Sequence, residues 1–265
     1  MIDGRTSGGL ESGRVATRPS EVGASPAQYL VADRAAPSAT TCGTVVCFPS
    51  AGAGVGMFRG WARDLPGRWD VRRVRLAGRE SRMHERHPPS LSAAAAELVP
   101  AVARLGRPLV LLGHSMGGLM AYETAKQMWA SGARIEGLVL IAAPAPVVTL
   151  RREPDEDIVV ASDADDPATA AAQELMRPTL LRDLRLCAAY PPQTDRVPGP
   201  ALVIWGRDDR HVGPERVEPW SQLLDGPLDR VELPGGHHLV TEIRPHVIAT
   251  VADWLTDREG AHGDP

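Results

Sequence analysis

A serine flanked by glycines is the residue of this 265-residue chain whose setting most directly suggests chemistry. Ser115 is the centre of the pentapeptide Gly-His-Ser-Met-Gly at 113–117, between an apolar run that begins at Leu109 and a stretch of helix-forming residues. A serine raised on a tight strand-to-helix turn needs glycine two positions before and two after it, because Cβ atoms there would collide. The pattern predicts a nucleophile elbow with Ser115 at its tip.

Two adjacent aspartates supply the candidate acid. Asp208 and Asp209 follow a strand predicted over residues 201–205. The spacing from Gly206 favours Asp209, whereas Asp208 is expected to make turn or surface hydrogen bonds. A carboxylate at this position could hold a histidine in the tautomer and orientation that base catalysis needs.

Two adjacent histidines supply the candidate base. His237 and His238 follow a strand predicted over residues 229–233 and a Gly-Gly pair that would let the loop approach the serine. A serine hydroxyl is a weak nucleophile until a neutral imidazole takes its proton. We favour His237 as this base, with His238 as the alternative, and we expect His114 beside the serine to be structural.

Backbone N–H groups are expected to stabilise a developing oxyanion. The predicted donors are the N–H of Met116, next to the serine, and one from the loop 50–52, with Ala51 as the best candidate. Small residues over 50–56 would let this backbone come close to a ligand. An ordinary glycine-rich connection is the alternative interpretation.

Strands and helices alternate along the chain, and the strands are largely apolar. Strands are predicted at 43–48, 69–76, 109–112, 137–143, 201–205 and 229–233, and helices at 57–65, 90–105, 118–131, 214–224 and 245–256. This order predicts an α/β protein with a mostly parallel, doubly wound sheet. The chain order of serine, acid and histidine is that of the α/β-hydrolase fold. Because each candidate follows a strand, the three should meet at one edge of the sheet.

Residues 144–199 interrupt the alternation and are predicted to form a helical lid. An acidic stretch precedes an amphipathic segment over 168–189, at the carboxyl end of a strand, where open α/β sheets bind ligands. Six apolar residues are expected to face inward, either lining an acyl tunnel or packing on the body: Leu175, Met176, Leu180, Leu181, Leu184 and Leu186.

The remaining parts of the chain flank one predicted domain over residues 42–257. Residues 1–41 are rich in Gly, Ser, Ala, Arg and Pro and are predicted to be a disordered extension. Tyr29, Leu30 and Val31 could instead pack on the body as a short arm. Residues 258–265 are predicted to be a polar tail.

Composition argues against several classes of function. The net charge of -4 and the 4% of aromatic residues argue against nucleic-acid binding. The first 41 residues contain no apolar stretch long enough for a signal peptide or a membrane span. Three cysteines without metal or disulfide spacing indicate reduced thiols in a cytoplasmic protein, for which a monomer is favoured.

An arginine surplus lies between residues 59 and 86, where nine arginines face four acidic residues. This surplus could be a docking patch for an acidic partner, with Arg72, Arg73 and Arg75 at its centre. A solvated face is the alternative.

Four motifs together resemble the type II thioesterases of polyketide and non-ribosomal peptide assembly lines, over roughly residues 43–256. They are Phe48-Pro49-Ser50-Ala51-Gly52, Gly113-His114-Ser115-Met116-Gly117, Gly206-Arg207-Asp208-Asp209 and Gly235-Gly236-His237. Residues 76–80, Leu-Ala-Gly-Arg-Glu, also resemble the family's Pro-Gly-Arg-Glu segment. The resemblance implies hydrolysis of acyl thioesters on the phosphopantetheine arm of an acyl or peptidyl carrier protein. It implies no metal and no cofactor.

The chain departs from the family pattern at three places. Ala53 interrupts the glycines of the loop, Gly118 stands where alanine is frequent, and the lid looks short, which leaves substrate size open. Three other functions remain as alternatives. They are a discrete chain-releasing thioesterase or cyclase, a carboxylesterase of small esters, and an interaction protein with a defunct site.

Overall fold

A seven-stranded sheet forms the centre of the protein, in a computed structural model that describes residues 26–33, 41–65, 68–106, 108–148 and 167–261. The strands are β1 (Leu30–Ala32), β2 (Gly43–Phe48), β3 (Trp69–Val74), β4 (Leu109–His114), β5 (Gly137–Ile141), β6 (Val197–Pro198), β7 (Ala201–Gly206), β8 (Leu224–Asp225) and β9 (Leu228–Leu233). The helices are α1 (Pro26–Tyr29), α2 (Trp61–Asp64), α3 (Leu91–Ala103), α4 (Met116–Ala130), α5 (Pro167–Ala188), α6 (Pro214–Val217), α7 (Leu239–Glu242) and α8 (Arg244–Ala261).

The order of strands in the main sheet is β1-β3-β2-β4-β5-β7-β9. Only β1 runs antiparallel to its neighbour within this sheet, so the predicted mostly parallel α/β sheet is confirmed. Strands β2 and β4 are neighbours, with Phe48 opposite Gly113. The loop that follows β2 therefore lies beside the turn that follows β4, which brings the two glycine-rich motifs together.

Apolar side chains cover both faces of the sheet because its central strands are buried throughout. Along β4, Leu109 and Leu111 pack on the face that α3 and α4 cover, and Val110 and Leu112 pack on the opposite face. A continuous apolar strand is what burial between two helical layers requires.

Several element boundaries differ from the prediction for local steric reasons. The helix predicted over 57–65 is a 3₁₀ turn followed by α2, because Gly60 between them has a left-handed φ of 80°. Strand β5 ends two residues earlier than predicted, before Ala142, whose φ is 46°. Helix α4 begins at Met116 rather than Gly118, because Ser115 already serves as its N-cap.

Residues 26–33 correct the prediction of a disordered extension over 1–41. Strand β1 pairs antiparallel with β3, with Leu30 opposite Val74, and Leu30 is buried. The short arm considered for this segment therefore packs on the body. Residues 1–25 and 34–40 lie outside the described residues.

The predicted lid is only partly described, because residues 149–166, which carry most of its acidic residues, lie outside the described ranges. Residues 167–188 form helix α5. The inward orientation predicted for Leu175 and Met176 is wrong, since these residues are 78% and 37% exposed. Leu186, in contrast, packs against the core.

Most of the arginines between residues 59 and 86 form ion pairs within the chain. Six of them pair with acidic side chains within the described residues: Arg63 with Asp64, Arg72 with Asp70, Arg73 with Asp33, Arg75 with Glu80, Arg79 with Asp183, and Arg82 with Glu85. The arginines at the centre of the predicted docking patch thus bind acidic groups of this chain. The arginine surplus is better explained by internal pairing than by a free basic surface.

Among the described residues, no helix has both the length and the apolar character needed to span a bilayer.

Candidate active site

The turn between β4 and α4 holds Ser115 in a strained backbone conformation. Its φ is 54° and its ψ is -118°, which is unusual for a residue with a side chain. The N–H of Ser115 donates to the carbonyl of Ile141 at 2.8 Å, and the N–H of Gly118 donates to the carbonyl of Ser115 at 2.9 Å. Strained conformations of this kind persist only where the surroundings fix them, and they cluster at functional sites.

The two glycines of the pentapeptide are required by close backbone contacts. A Cβ at Gly113 would lie 2.0 Å from the carbonyl oxygen of Gly117, and one at Gly117 would lie 2.1 Å from that of Phe48. No side chain can occupy such a space. The contact with Phe48 also packs the start of α4 against the end of β2.

The carboxyl ends of β4, β7 and β9 bring three of the predicted residues together. The Nε2 atom of His237 lies 3.0 Å from Oγ of Ser115, and its Nδ1 atom lies 2.8 Å from Oδ2 of Asp209. With the proton on Nδ1, this nitrogen donates to Asp209, and Nε2 accepts from the serine hydroxyl. The arrangement has the geometry of a nucleophile, a base and an orienting carboxylate.

The neighbouring alternatives are not part of this hydrogen-bonded chain. Asp208 is exposed, and its backbone N–H donates to Gly235 at 3.0 Å. His238 serves as the N-cap residue of α7. Between the adjacent pairs, the geometry therefore favours Asp209 and His237.

Asp209 is fixed and kept ionised by its surroundings. Its side chain is fully buried, and Oδ1 accepts hydrogen bonds from the N–H groups of His211 at 2.8 Å and Val212 at 3.0 Å. Burial by itself raises the pKa of this carboxyl, but the hydrogen bonds from His237 and the two N–H groups outweigh it and lower the pKa below its ordinary value. The negative charge is thus available to orient His237.

His114 supports the backbone of the candidate base. It is fully buried, and its Nε2 atom lies 2.7 Å from the carbonyl oxygen of His237, to which it donates. Burial, with a smaller contribution from His237, lowers the pKa of His114 from 6.5 to about 3. The structural role predicted for His114 is therefore to hold the main chain of His237 in place with a neutral ring.

Two backbone N–H groups that follow the neighbouring strands β2 and β4 remain available for a ligand. Among the hydrogen bonds of the described residues, the N–H groups of Ala51 and Met116 donate to no protein acceptor. The next two N–H groups of the loop are used, since Gly52 donates to Asp183 at 2.8 Å and Ala53 donates to Ser50 at 3.1 Å. The N–H groups of Ala51 and Met116 therefore stay the candidates for binding an oxyanion.

An ion pair beneath the loop was missed by the sequence reasoning. Arg79 and Asp183 are joined at 2.7 Å with both side chains 3% exposed, and both contact the loop after β2. The resemblance of residues 76–80 to a family segment was the available signal for Arg79. Nothing in the sequence pointed to Asp183, which lies 104 residues further on.

Comparisons with known proteins agree with this geometry. A profile of the thioesterase domain matches residues 43–255. The probable anguibactin biosynthesis thioesterase AngT of Vibrio anguillarum is 30% identical over 217 residues, which cover 75% of this chain and 85% of that protein.

Solved structures give the same result. RedJ, a thioesterase from the prodiginine pathway of Streptomyces coelicolor, is 31% identical with a TM-score of 0.74, covering 82% of this chain and 92% of RedJ. BorB, a type II thioesterase from the borrelidin biosynthetic cluster, is 28% identical with a TM-score of 0.71, covering 85% of this chain and 95% of BorB. This chain belongs to the thioesterase family, as a type II thioesterase of the α/β-hydrolase fold.

Proposed function

We propose that this protein hydrolyses acyl thioesters on the phosphopantetheine arm of an acyl or peptidyl carrier protein, with Ser115 as nucleophile, His237 as general base and Asp209 as orienting carboxylate. The observation that carries the proposal is the continuous hydrogen-bonded chain from Ser115 Oγ through His237 to Asp209, at 3.0 and 2.8 Å. These distances lie within the range over which a proton passes directly between two groups.

The first half of the reaction forms an acyl-serine. Ser115 Oγ attacks the thioester carbonyl while its proton passes to Nε2 of His237, and a tetrahedral oxyanion forms. The carbon–sulfur bond then breaks, and the sulfur leaves with the proton held by His237. A thiol has a pKa near 8.5, so it leaves more easily than an alcohol and demands less of the general acid.

The second half releases the acid. His237 takes a proton from water, the resulting hydroxide attacks the acyl-serine carbonyl, and a second tetrahedral oxyanion forms. The carbon–oxygen bond to Ser115 breaks, and the proton on His237 returns to Ser115 Oγ. The products are a carboxylic acid and a free carrier thiol, and Ser115 is regenerated.

The N–H groups of Ala51 and Met116 stabilise both oxyanions. Each is a fixed dipole that needs no reorganisation when charge develops, and one such donor contributes about 100- to 1000-fold in rate. Their lack of protein acceptors among the described residues supports this role. The reaction as written uses no metal and no cofactor.

The similar proteins support carrier-bound substrates from secondary metabolism. AngT is named for anguibactin biosynthesis, and RedJ is from the prodiginine biosynthetic pathway. We propose that this chain acts in the cytoplasm on a polyketide or non-ribosomal peptide assembly line, where it clears stalled or misloaded acyl groups.

A comparison of three substrates tests the function. The purified protein is offered the same acyl group on a phosphopantetheinylated carrier protein, on a small thiol and as a nitrophenyl ester. We expect kcat/KM to be highest for the carrier thioester and lowest for the oxygen ester. A wide preference for the oxygen ester would instead identify a small-ester carboxylesterase.

The products decide between editing and chain release. Mass spectrometry should detect the free linear acid, because water attacks the acyl-serine. A cyclised product from a substrate with an internal hydroxyl would assign the protein to chain release. Release of the thiol at equal rates by the Ser115→Ala variant would overturn the proposed nucleophile.

A further inference from the structure

We propose that Asp183, whose charge is balanced by Arg79, is a positioning residue that fixes the conformation of the oxyanion loop, defined here as residues 50–54. The inference rests on the proposed function, because it assigns a cause to the placement of the Ala51 N–H. It adds that helix α5 must lie on the loop for the oxyanion site to be complete.

The carboxylate of Asp183 holds the loop directly. Its Oδ2 atom accepts the N–H of Gly52 at 2.8 Å, one residue after the candidate donor Ala51. Gly52 has a left-handed φ of 72°, and a Cβ there would lie 2.9 Å from Cβ of Leu180 on α5. The loop and the helix are thus in direct contact, and an L side chain at position 52 would push them apart.

Arg79 completes the clamp from the other side. Its Nη1 atom donates to the carbonyl of Ala53 at 2.6 Å, and its Nη2 atom lies 2.8 and 2.7 Å from the two carboxylate oxygens of Asp183. The N–H of Gly52 and the carbonyl of Ala53 are therefore both fixed. The carbonyl of Ser50, which shares its peptide plane with the N–H of Ala51, accepts the N–H of Ala53 at 3.1 Å, so the plane of the candidate donor is held together with the rest of the loop.

The charge balance explains why the carboxylate needs a cation. A buried, unpaired carboxylate near an oxyanion would oppose the charge that forms in the transition state. Arg79 cancels this charge while leaving Asp183 able to accept from Gly52. Removal of one member of a buried pair leaves an uncompensated charge, whereas replacement of both by apolar groups is often neutral for stability.

The test separates transition-state stabilisation from substrate binding. In Asp183→Ala we expect kcat to fall roughly 10- to 100-fold, less than loss of an oxyanion donor would cost, while KM changes by less than about threefold. Affinity for an alkylboronic acid, which adds to Ser115 Oγ and mimics the tetrahedral adduct, should fall by the same factor as kcat. Asp183→Asn keeps an oxygen for the Gly52 N–H and should recover part of kcat.

Glu123 provides the matched control. Its side chain is as buried as that of Asp183, and it binds Lys126 at 2.7 Å and Tyr190 at 2.5 Å, without contact to the oxyanion loop among the described residues. Glu123→Ala should lower the Tm but leave kcat and boronic acid affinity within about threefold of wild type. A fall in kcat equal to that of Asp183→Ala would mean that general destabilisation explains both, which would overturn the proposal.

A double variant keeps the proposal testable if Asp183→Ala does not fold. Arg79→Met combined with Asp183→Leu removes both charges and should restore stability without restoring the acceptor for Gly52. We expect this variant to be folded and slow. A folded double variant with wild-type kcat would overturn the role of Asp183. Loss of activity in Ser115→Ala would still support the proposed function, so the two failures can be told apart.

Discussion

Asp209, the proposed orienting carboxylate, and the oxyanion loop are held in place in different ways. Asp209 is fixed largely by its own turn, where its carboxylate accepts hydrogen bonds from the N–H groups of His211 and Val212. The oxyanion loop, in contrast, is fixed by partners far away in the chain. Asp183 lies 131 residues from Gly52, and Glu80 lies 25 residues from Val55, the residue that follows the loop.

This difference implies two kinds of vulnerability. A residue of the proposed triad would take part in the reaction itself, so its replacement should lower kcat severely whatever the position of helix α5. The oxyanion loop depends on contacts between separate elements, so its geometry can change without any change in the triad. Four predictions test this contrast, in order of decreasing energetic effect.

The Ser115→Ala variant should show the largest effect. Loss of the nucleophile should reduce kcat by about 10⁴- to 10⁶-fold on thioester substrates. Thermal unfolding should be close to that of wild type, because the backbone hydrogen bonds of the elbow remain. Residual activity above about 1% of wild type would contradict the acyl-serine mechanism.

The Asp209→Asn variant should follow, with kcat lower by about 10⁴-fold, because an amide no longer holds His237 in its productive tautomer. The matched control is Asp208→Asn, which changes the adjacent exposed carboxylate and should stay within about threefold of wild type. Steady-state kinetics on the same thioester measures both. An equal loss of kcat in the two variants would contradict the assignment of Asp209 as the acid.

The His114→Gln variant should change the pH dependence of stability. The folded-state pKa of His114 is lowered from 6.5 to about 3, so the unfolded chain binds more protons between these values. Stability from this residue is therefore fully present above about pH 6.5 and is lost as the pH falls toward 3, by up to about 1.4 kcal/mol per pH unit.

Urea denaturation at several pH values between 7 and 4 measures this effect. The free energy of unfolding should fall less steeply in His114→Gln, whose amide can still donate to the carbonyl of His237. His246→Gln, at an exposed site on α8, serves as the control and should keep the wild-type slope. Identical slopes in all three proteins would show that His114 does not stay neutral.

The Glu80→Ala variant should show the smallest effect. Glu80 accepts the N–H of Val55, the residue that follows the loop, in an exposed hydrogen bond of 2.9 Å. Its loss should reduce kcat about three- to fivefold, which corresponds to about 1 kcal/mol for one partly exposed hydrogen bond. Glu85→Ala, which affects the pair with Arg82 instead, should leave kcat unchanged. A loss as large as that of Asp183→Ala would mean that the two ends of the loop matter equally.

Local patterns made the sheet and the elbow predictable from the sequence. The apolar run at 109–112 and the glycines of 113–117 specify a strand and a turn through contacts between near neighbours. The acid and the base were narrowed to adjacent pairs by the same kind of pattern. The distances support the choice of Asp209 and His237 over their neighbours, because one residue along a loop changes where a side chain points.

The other features depend on contacts that no local pattern encodes. The pairing of Arg79 with Asp183 joins residues 104 positions apart. The amphipathic pattern of α5 does not specify which side of the helix contacts the body. Leu175 was therefore assigned to the inner side, whereas it is exposed. The arginine surplus resembled a charged surface because its acidic partners, such as Asp33 for Arg73, lie elsewhere in the chain.

Strand β1 has a practical consequence for the boundaries of the enzyme. The thioesterase profile begins at residue 43, whereas Leu30–Ala32 already pair with β3 and satisfy one side of its backbone. A chain shortened to start at residue 43 would leave β3 as an open edge, and unpaired edge strands recruit other chains. Strand β1 covers this edge, so forms that begin at residue 43 should be less soluble than forms that retain residues 26–33.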